Sequence, residues 1–145
     1  MSVLVAVAIV EGAILAERER MLRSSDPSLR SLDRATDGVG ARLRFEGIVR
    51  GLEEGRPIAA LDYEVYEPMA SRELARVARE EAERAGARSI LVLHSSGRVA
   101  VGEVSFLCEV ASPHRAEALA ALAAFVDRMK REVPIWKRVI PADGA

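Results

Sequence analysis

The sequence predicts a single α+β domain, residues 1–145, in which an antiparallel sheet and the helices are segregated. Three observations lead to this prediction. The chain has 145 residues, half of them hydrophobic, which is enough for one core. Apolar residues alternate with polar ones in several short segments and recur at helical spacing in longer ones. These segments follow one another as strand, helix, connector, two strands, helix, two strands, helix and strand.

The N-terminal part combines a strand with a short helix. Val3 to Val10 is rich in Val and Ile and precedes Glu11, which predicts a buried strand. This run is too short for a membrane span and lacks the basic region of a signal peptide. Ala13 to Leu22 is predicted to form a short helix, and Asp26 to Gly40 a connector.

Two further strands are predicted between Ala41 and Tyr66. Ala41 to Arg50 alternates apolar and charged residues, and Gly47 within it indicates a bulge or a close approach of another backbone or a ligand. Ile58 to Tyr66 also alternates. The short polar loop Gly51 to Arg56 suggests that the two strands form a hairpin with each other.

A helix and two strands are predicted next. The helix runs from Pro68 to Ala85 and is stopped by Gly86. Ser89 to His94 and Arg98 to Val110 are predicted strands, with Ser95 to Gly97 as the turn between them. The apolar face of the helix is predicted to comprise Met69, Leu74, Val77, Ala78 and Ala82, and its charged face to be solvated.

The chemistry of single residues and the overall charge exclude several classes of function. Alternation places Cys108 on an apolar strand face, which favours core packing over a nucleophilic role. One cysteine excludes an internal disulfide and a Cys-rich metal site, and it fits a reducing cytoplasm. His94, beside two serines at a strand end, is interpreted as structural. A net charge of −1 argues against a general nucleic-acid binder.

Basic residues concentrate around a helix in the stretch from Ser112 to Val139. Ser112 is predicted to be the N-cap and Pro113 the first helical residue, and Pro134 ends the helix. The basic residues could simply be solvated or favoured by the helix dipole, or they could form an anion site. The predicted apolar stripe of this helix is Ala116, Leu119, Ala120, Leu122, Ala123, Val126 and Met129.

A family resemblance favours the anion site. The segments HRAEA and MKREVPIWK, with FEGIVRG and LDYEVYEPMA upstream, resemble the catalytic large subunit of molybdopterin synthase in order and spacing. The resemblance covers about Gly40 to Arg138. It implies the α/β hammerhead fold and a cytoplasmic sulfurtransferase of molybdenum cofactor biosynthesis, with no cofactor or metal of its own and no nucleic-acid or membrane partner.

The resemblance also implies a substrate, a partner and a set of site residues. Cyclic pyranopterin monophosphate is converted to molybdopterin, and the sulfur comes from the Gly-Gly thiocarboxylate of a ubiquitin-like small subunit. Two large subunits form a homodimer within a heterotetramer. Position by position, Lys130 and Lys137 match catalytic residues, and the substrate-binding positions are Ile48, Val49, Arg50, His114, Arg115, Lys130, Lys137 and Arg138.

Three departures from the family pattern keep an alternative open. Ser95 stands where a basic residue is frequent, Val139 stands where an acidic residue is frequent, and the tail from Pro141 to Ala145 is short. The alternative is a non-catalytic relative that binds a phosphate ligand or a partner tail. The presence of both lysines favours the enzyme.

Helix length predicts that the site is shared between two copies of the chain. His114 and Lys130 are sixteen residues apart on one predicted helix, which separates them by roughly 24 Å at about 1.5 Å per residue. A cyclic pterin phosphate cannot span that distance. If both residues serve one pocket, His114 and Arg115 come from one protomer and Lys130 and Lys137 from the other.

Overall fold

The computed structural model describes residues 3–14 and 38–142. The predicted helix from Ala13 to Leu22 and the connector from Asp26 to Gly40 lie largely outside these residues. The described strands and helices agree in order with the prediction. They are β1 (Leu4–Glu11), β2 (Ala41–Ile48), β3 (Leu52–Glu53), β4 (Arg56–Val65), α1 (Met69–Ala85), β5 (Ser89–Ala100), β6 (Val104–Ser112), α2 (Arg115–Glu132) and β7 (Ile135–Pro141).

The seven described strands form one sheet, and the α+β prediction is confirmed. The strand order is β2-β6-β5-β4-β3, with β1 pairing on β5 and β7 pairing on β4. All pairings are antiparallel except that between β1 and β5. The first part of β5 lies between β1 and β6, and its last four residues pair with β4. Helices α1 and α2 pack on each other and cover one face of β1, β5 and β6.

The turn predicted at Ser95 to Gly97 is wrong, because β5 continues through these residues to Ala100. The Ser95 hydroxyl donates to the carbonyl of Gly12, at the end of β1, at 2.6 Å. A serine can therefore be buried in the sheet here, since the neighbouring strand satisfies its hydroxyl. The chain reverses instead around Gly102, whose φ of +87° suits glycine.

The hairpin predicted between the strands Ala41 to Arg50 and Ile58 to Tyr66 is also wrong. Strand β2 pairs with β6, whereas β4 pairs with β3, β5 and β7. The intervening loop contains its own small hairpin between β3 and β4. Its two turn residues, Glu54 and Gly55, have φ of 50° and 78°, as tight two-residue turns between twisted strands require.

Gly47 marks a bulge in β2, as predicted. The register with β6 shifts between Gly47 and Ile48. A Cβ atom on Gly47 would lie 3.2 Å from Cβ of Phe106 on the neighbouring strand. Glycine therefore allows β2 and β6 to approach closely at the point where the chain turns toward Arg50.

Helix α2 begins later than predicted and buries a different face. Ser112 is the last residue of β6, and His114 is the N-cap, its backbone N–H donating to Glu117 Oε2 at 3.1 Å. Pro134 does follow the helix end, with Lys130 in the last turn. Leu119 of the predicted stripe is 54% exposed, and the buried residues are Ala118, Ala121, Phe125 and Met129.

A network of ion pairs joins α1 to α2. Arg128 on α2 bonds Glu132 at 2.6 Å on its own helix and Glu81 on α1 at 3.2 Å. Glu81 is only 2% exposed, so the prediction that all charged residues of α1 are solvated is wrong at this position. A buried carboxylate is tolerated here because arginine guanidinium groups satisfy it.

The apolar face of α1 differs from the prediction at its first residue. Met69 is 60% exposed and Ala70 is buried in its place. Within the described ranges, no helix is long and apolar enough to cross a membrane.

Candidate active site

A cavity of about 440 Å³ opens between the end of β2, the β3–β4 hairpin, the C-terminal end of α2 and β7. Its lining combines cationic side chains with a group of aromatic ones. The lining residues are Phe45, Gly47, Ile48, Val49, Arg50, Glu53, Leu61, Tyr63, His94, Ser105, Phe106, Val126, Met129, Lys130, Val133, Ile135 and Lys137.

Lys130 and Lys137 reach this cavity from two consecutive elements. Lys130 lies in the last turn of α2, and Lys137 lies on β7, after the chain has turned at Pro134. Because Pro134 ends the helix, the six residues between the lysines fold back rather than continue along the helix axis. Both side chains therefore line one cavity.

The alternation of β7 decides which of its basic residues faces the cavity. Lys137 is paired with Tyr63 on β4, and both line the cavity. Arg138 is paired with Asp62, so it lies on the opposite face of the ladder, where its Nη2 bonds Asp62 Oδ2 at 2.7 Å. Arg138 is therefore not among the residues that line this cavity.

Arg50 is held at the cavity by the backbone of the preceding residue. The N–H of Val49 donates to the carbonyl of Glu103 at 3.0 Å, and its carbonyl accepts from the N–H of Gly102 at 2.8 Å. Val49 is 3% exposed. These bonds tie the end of β2 to the turn between β5 and β6, and they place Arg50 and Ile48 at the cavity wall.

His114 and Arg115 lie at the opposite end of α2 from this cavity. The helix runs without interruption from Arg115 to Glu132, so the expectation that it does not fold back midway is confirmed. His114 Nδ1 is 3.2 Å from Glu117 Oε1. One chain therefore brings Ile48, Val49, Arg50, Lys130 and Lys137 together and leaves His114, Arg115 and Arg138 outside the cavity.

Several lining residues were missed by reasoning from the sequence. The Tyr63 hydroxyl donates to Ser105 Oγ at 3.0 Å. The ring of His94, interpreted above as structural only, lies between Tyr63 and Phe106. Alternation indicated that Tyr63 and Phe106 are apolar and inward. Their contacts with His94 join three different strands, which no local pattern predicts.

Cys108 is buried in the core, as predicted. It has no exposed surface, and it lies on the face of β6 that packs against the helices. Burial raises the pKa of its thiol, with a smaller contribution from Glu109, so the thiol stays protonated. It does not line the cavity.

The charges in the cavity suit an anion. Arg50, Lys130 and Lys137 contribute three cationic groups and Glu53 one carboxylate. Arg50 and Lys130 make no ion pair with any other described residue, so both remain available to a ligand. No group of three or more potential metal ligands occurs in the part of the chain that the structure describes. The arrangement can hold an anionic group beside an aromatic wall.

Comparisons with known proteins point to one family. The model of the "MoaE protein" family matches residues 22–132. Relatives named as molybdopterin synthase catalytic subunits include those of Oryza sativa subsp. indica (39% identity, 79% of this chain and 60% of the relative) and Pyrococcus abyssi (36%, 76% and 74%). That of Nostoc sp. is 36% identical over 73% of this chain and 65% of its own length. The chain thus spans less than two thirds of the length of the Oryza sativa and Nostoc sp. relatives.

Solved structures agree with this result. Molybdopterin synthase from Staphylococcus aureus superposes with a TM-score of 0.74 at 32% identity, over 94% of this chain and 91% of that one. A protein–protein complex of subunits 1 and 2 of molybdopterin-converting factor from Helicobacter pylori gives a TM-score of 0.70 at 28% identity, over 94% and 86%. The predicted resemblance and fold class are confirmed.

Proposed function

This chain belongs to the MoaE protein family, and we propose that it is the catalytic subunit of a cytoplasmic molybdopterin synthase. In this role it transfers sulfur to cyclic pyranopterin monophosphate during molybdenum cofactor biosynthesis. The observation that carries the proposal is the convergence of Lys130, Lys137 and Arg50 on one cavity. Lys130 lies on α2, Lys137 on β7 and Arg50 just after β2, so their meeting is a property of the fold rather than of a local basic segment.

The sulfur donor in this proposal is a second protein. The only cysteine of the chain is buried away from the cavity and its thiol stays protonated, so it is a poor nucleophile. The proposed donor is the C-terminal Gly-Gly thiocarboxylate of a ubiquitin-like small subunit. An extended glycine tail is narrow enough to enter the cavity, and its negative charge matches the cationic lining. The Helicobacter pylori structure, which contains two subunits in complex, supports a partner of this kind.

The two lysines are the proposed catalytic residues. The thiocarboxylate sulfur bonds to a carbon of the substrate as a C–O bond breaks, and the departing oxygen takes up a proton and leaves as water. A water molecule then hydrolyses the resulting thioester, which leaves the sulfur on the substrate and a carboxylate on the small subunit. The Lys130 ammonium can donate that proton or hold the thiocarboxylate in place. Lys137 has a similar position but is held by Glu53 at 3.2 Å. Ile48, Val49 and Arg50 would contact the substrate on the cavity wall, and the guanidinium of Arg50 suits a phosphate.

We further propose that the complete site forms across a homodimer within a heterotetramer. His114 and Arg115 lie one helix length from Lys130, so they can serve this substrate only at the cavity of a second copy. There the exposed N-terminal end of α2 would add its backbone N–H groups and the Arg115 guanidinium to the phosphate site. Arg138, paired with Asp62 outside the cavity, is proposed to act at the rim, after that ion pair opens.

A reconstitution assay tests the function. The chain is mixed with thiocarboxylated small subunit and cyclic pyranopterin monophosphate, and the dithiolene product is detected by mass spectrometry. Product should form, and it should not form with a small subunit that ends in an ordinary carboxylate. Binding of the cyclic phosphate without any product would instead favour the alternative, a non-catalytic relative that binds a phosphate ligand or partner tail.

A further inference from the structure

His94 is a buried histidine whose ring forms part of the cavity wall. It is 6% exposed and lies on the same face of β5 as Ile90 and Val92, toward the helices. Its ring centroid is 5.1 Å from that of Tyr63, edge to face, and 5.8 Å from that of Phe106. These contacts hold the plane of the imidazole ring, while the residue still lines the cavity.

One hydrogen bond determines the tautomer of this ring. Nδ1 of His94 is 2.8 Å from the carbonyl oxygen of Ser95. A carbonyl oxygen only accepts, so Nδ1 carries the hydrogen and Nε2 carries a lone pair. Burial lowers the pKa of His94, and the bond to Ser95 opposes this effect only in part. The ring is therefore neutral at physiological pH.

The lone pair on Nε2 is directed to the cavity rather than to another protein group. No described residue donates to Nε2, and this atom is not enclosed in the interior without a partner. The Tyr63 hydroxyl, which also lines the cavity, already donates to Ser105 Oγ. A ligand that enters the cavity can therefore supply the donor.

We infer that Nε2 of His94 accepts a hydrogen bond from an N–H group on the edge of the substrate's pterin ring and so determines which end of the substrate faces the aromatic wall. The inference rests on the proposed function. A phosphate oxygen carries no hydrogen to donate and would meet a lone pair at this position, which disfavours the reverse orientation. Arg50, Lys130 and Lys137 line the same cavity and attract the phosphate, whereas the rings of Tyr63 and Phe106 suit a flat heterocycle.

Two substitutions of His94 separate the acceptor from the packing. His94→Phe keeps a planar ring but removes the acceptor, and His94→Gln places an amide oxygen near the position of Nε2. With a phosphate-free probe, 6-hydroxymethylpterin, whose fluorescence reports binding, His94→Phe should weaken affinity about fivefold to tenfold, the loss expected for one hydrogen bond. His94→Gln should recover at least part of this loss. In the product assay, the KM for the cyclic phosphate should rise while kcat changes less.

Equal affinity of the wild type and His94→Phe for the pterin probe would show that Nε2 makes no contact with the ring. If His94→Phe does not fold, His94→Gln is compared with His94→Asn, whose amide lies near Nδ1 instead. Equal pterin affinity of those two variants would also overturn it. Failure of the wild type to form product would count against the proposed function, whereas the pterin titration would still test the role of His94 in binding.

Discussion

Nζ of Lys137 lies 3.2 Å from Oε1 of Glu53, which joins β7 to the small hairpin between β3 and β4. The lysine side chain is 54% exposed and the glutamate side chain 20%, so the pair contributes little to stability. Both residues line the cavity. An anionic ligand must therefore compete with Glu53 for the same ammonium group.

Substitution of Glu53 should strengthen the binding of an anion. In Glu53→Gln the competing carboxylate is lost, and we expect the Kd of cyclic pyranopterin monophosphate to fall about twofold to fivefold, from about 0.5–1 kcal/mol of removed repulsion. Isothermal titration calorimetry measures this change. Glu54→Gln is the matched control, because Glu54 is the adjacent turn residue and does not line the cavity. Weaker binding by Glu53→Gln would indicate that Glu53 mainly orients Lys137.

Substitution of Lys130 should abolish activity without affecting stability. The side chain is exposed, so Lys130→Ala should change the free energy of unfolding by no more than about 0.5 kcal/mol. Product formation should be lost. Arg131→Ala is the control, because Arg131 lies in the same helical turn but outside the cavity. A Tm several degrees lower for Lys130→Ala would assign Lys130 a structural role.

Mixed dimers test whether two copies share the site. Arg115→Ala and Lys130→Ala are each inactive in this proposal, but a heterodimer of the two contains one intact site of two. After subunit exchange of equal amounts, about half of the dimers are mixed, and activity should reach about one quarter of the wild-type value. Native mass spectrometry confirms the exchange. Without recovered activity in exchanged samples, each chain would have to build its site alone.

The ion pairs between the helices predict how stability depends on pH. The bond to Arg128, helped by Arg76, lowers the pKa of Glu132 from 4.5 to about 2, against a smaller desolvation effect. Because the pKa is lower in the folded state, the stabilisation is complete above about pH 4.5 and is lost as the pH falls toward 2. The Tm of Glu132→Gln should therefore lie below the wild-type Tm at pH 7, and the difference should shrink at pH 3.

Glu83→Gln serves as the control for this pH series. Glu83 is 3.9 Å from Arg79 and its side chain is 56% exposed, so its removal should change Tm little at any pH. A Tm difference between the wild type and Glu132→Gln that stays constant from pH 7 to pH 3 would contradict the proposed ion pairing, because a purely structural effect does not titrate.

The sequence by itself determined the local elements and part of the site. Alternation and helical spacing predict the strands and helices in their order, Gly47 predicts the bulge, and the apolar neighbours of Cys108 predict its burial. Pro134 predicts where α2 ends, and the short separation between Lys130 and Lys137 across that break makes their approach expected. All of these features depend on residues close together in the chain.

Only the tertiary structure decided which elements pair and which side chains meet. Alternation shows that β4 has an apolar face but not that its partners are β5 and β7, because the pairing energy comes from strands distant in sequence. Helix α2 is rich in alanine on several sides, so its buried face is decided by Phe125, which packs on Phe106, with ring centroids 6.3 Å apart. The aromatic wall around His94 exists for the same reason, since its residues come together only when β4, β5 and β6 form one sheet.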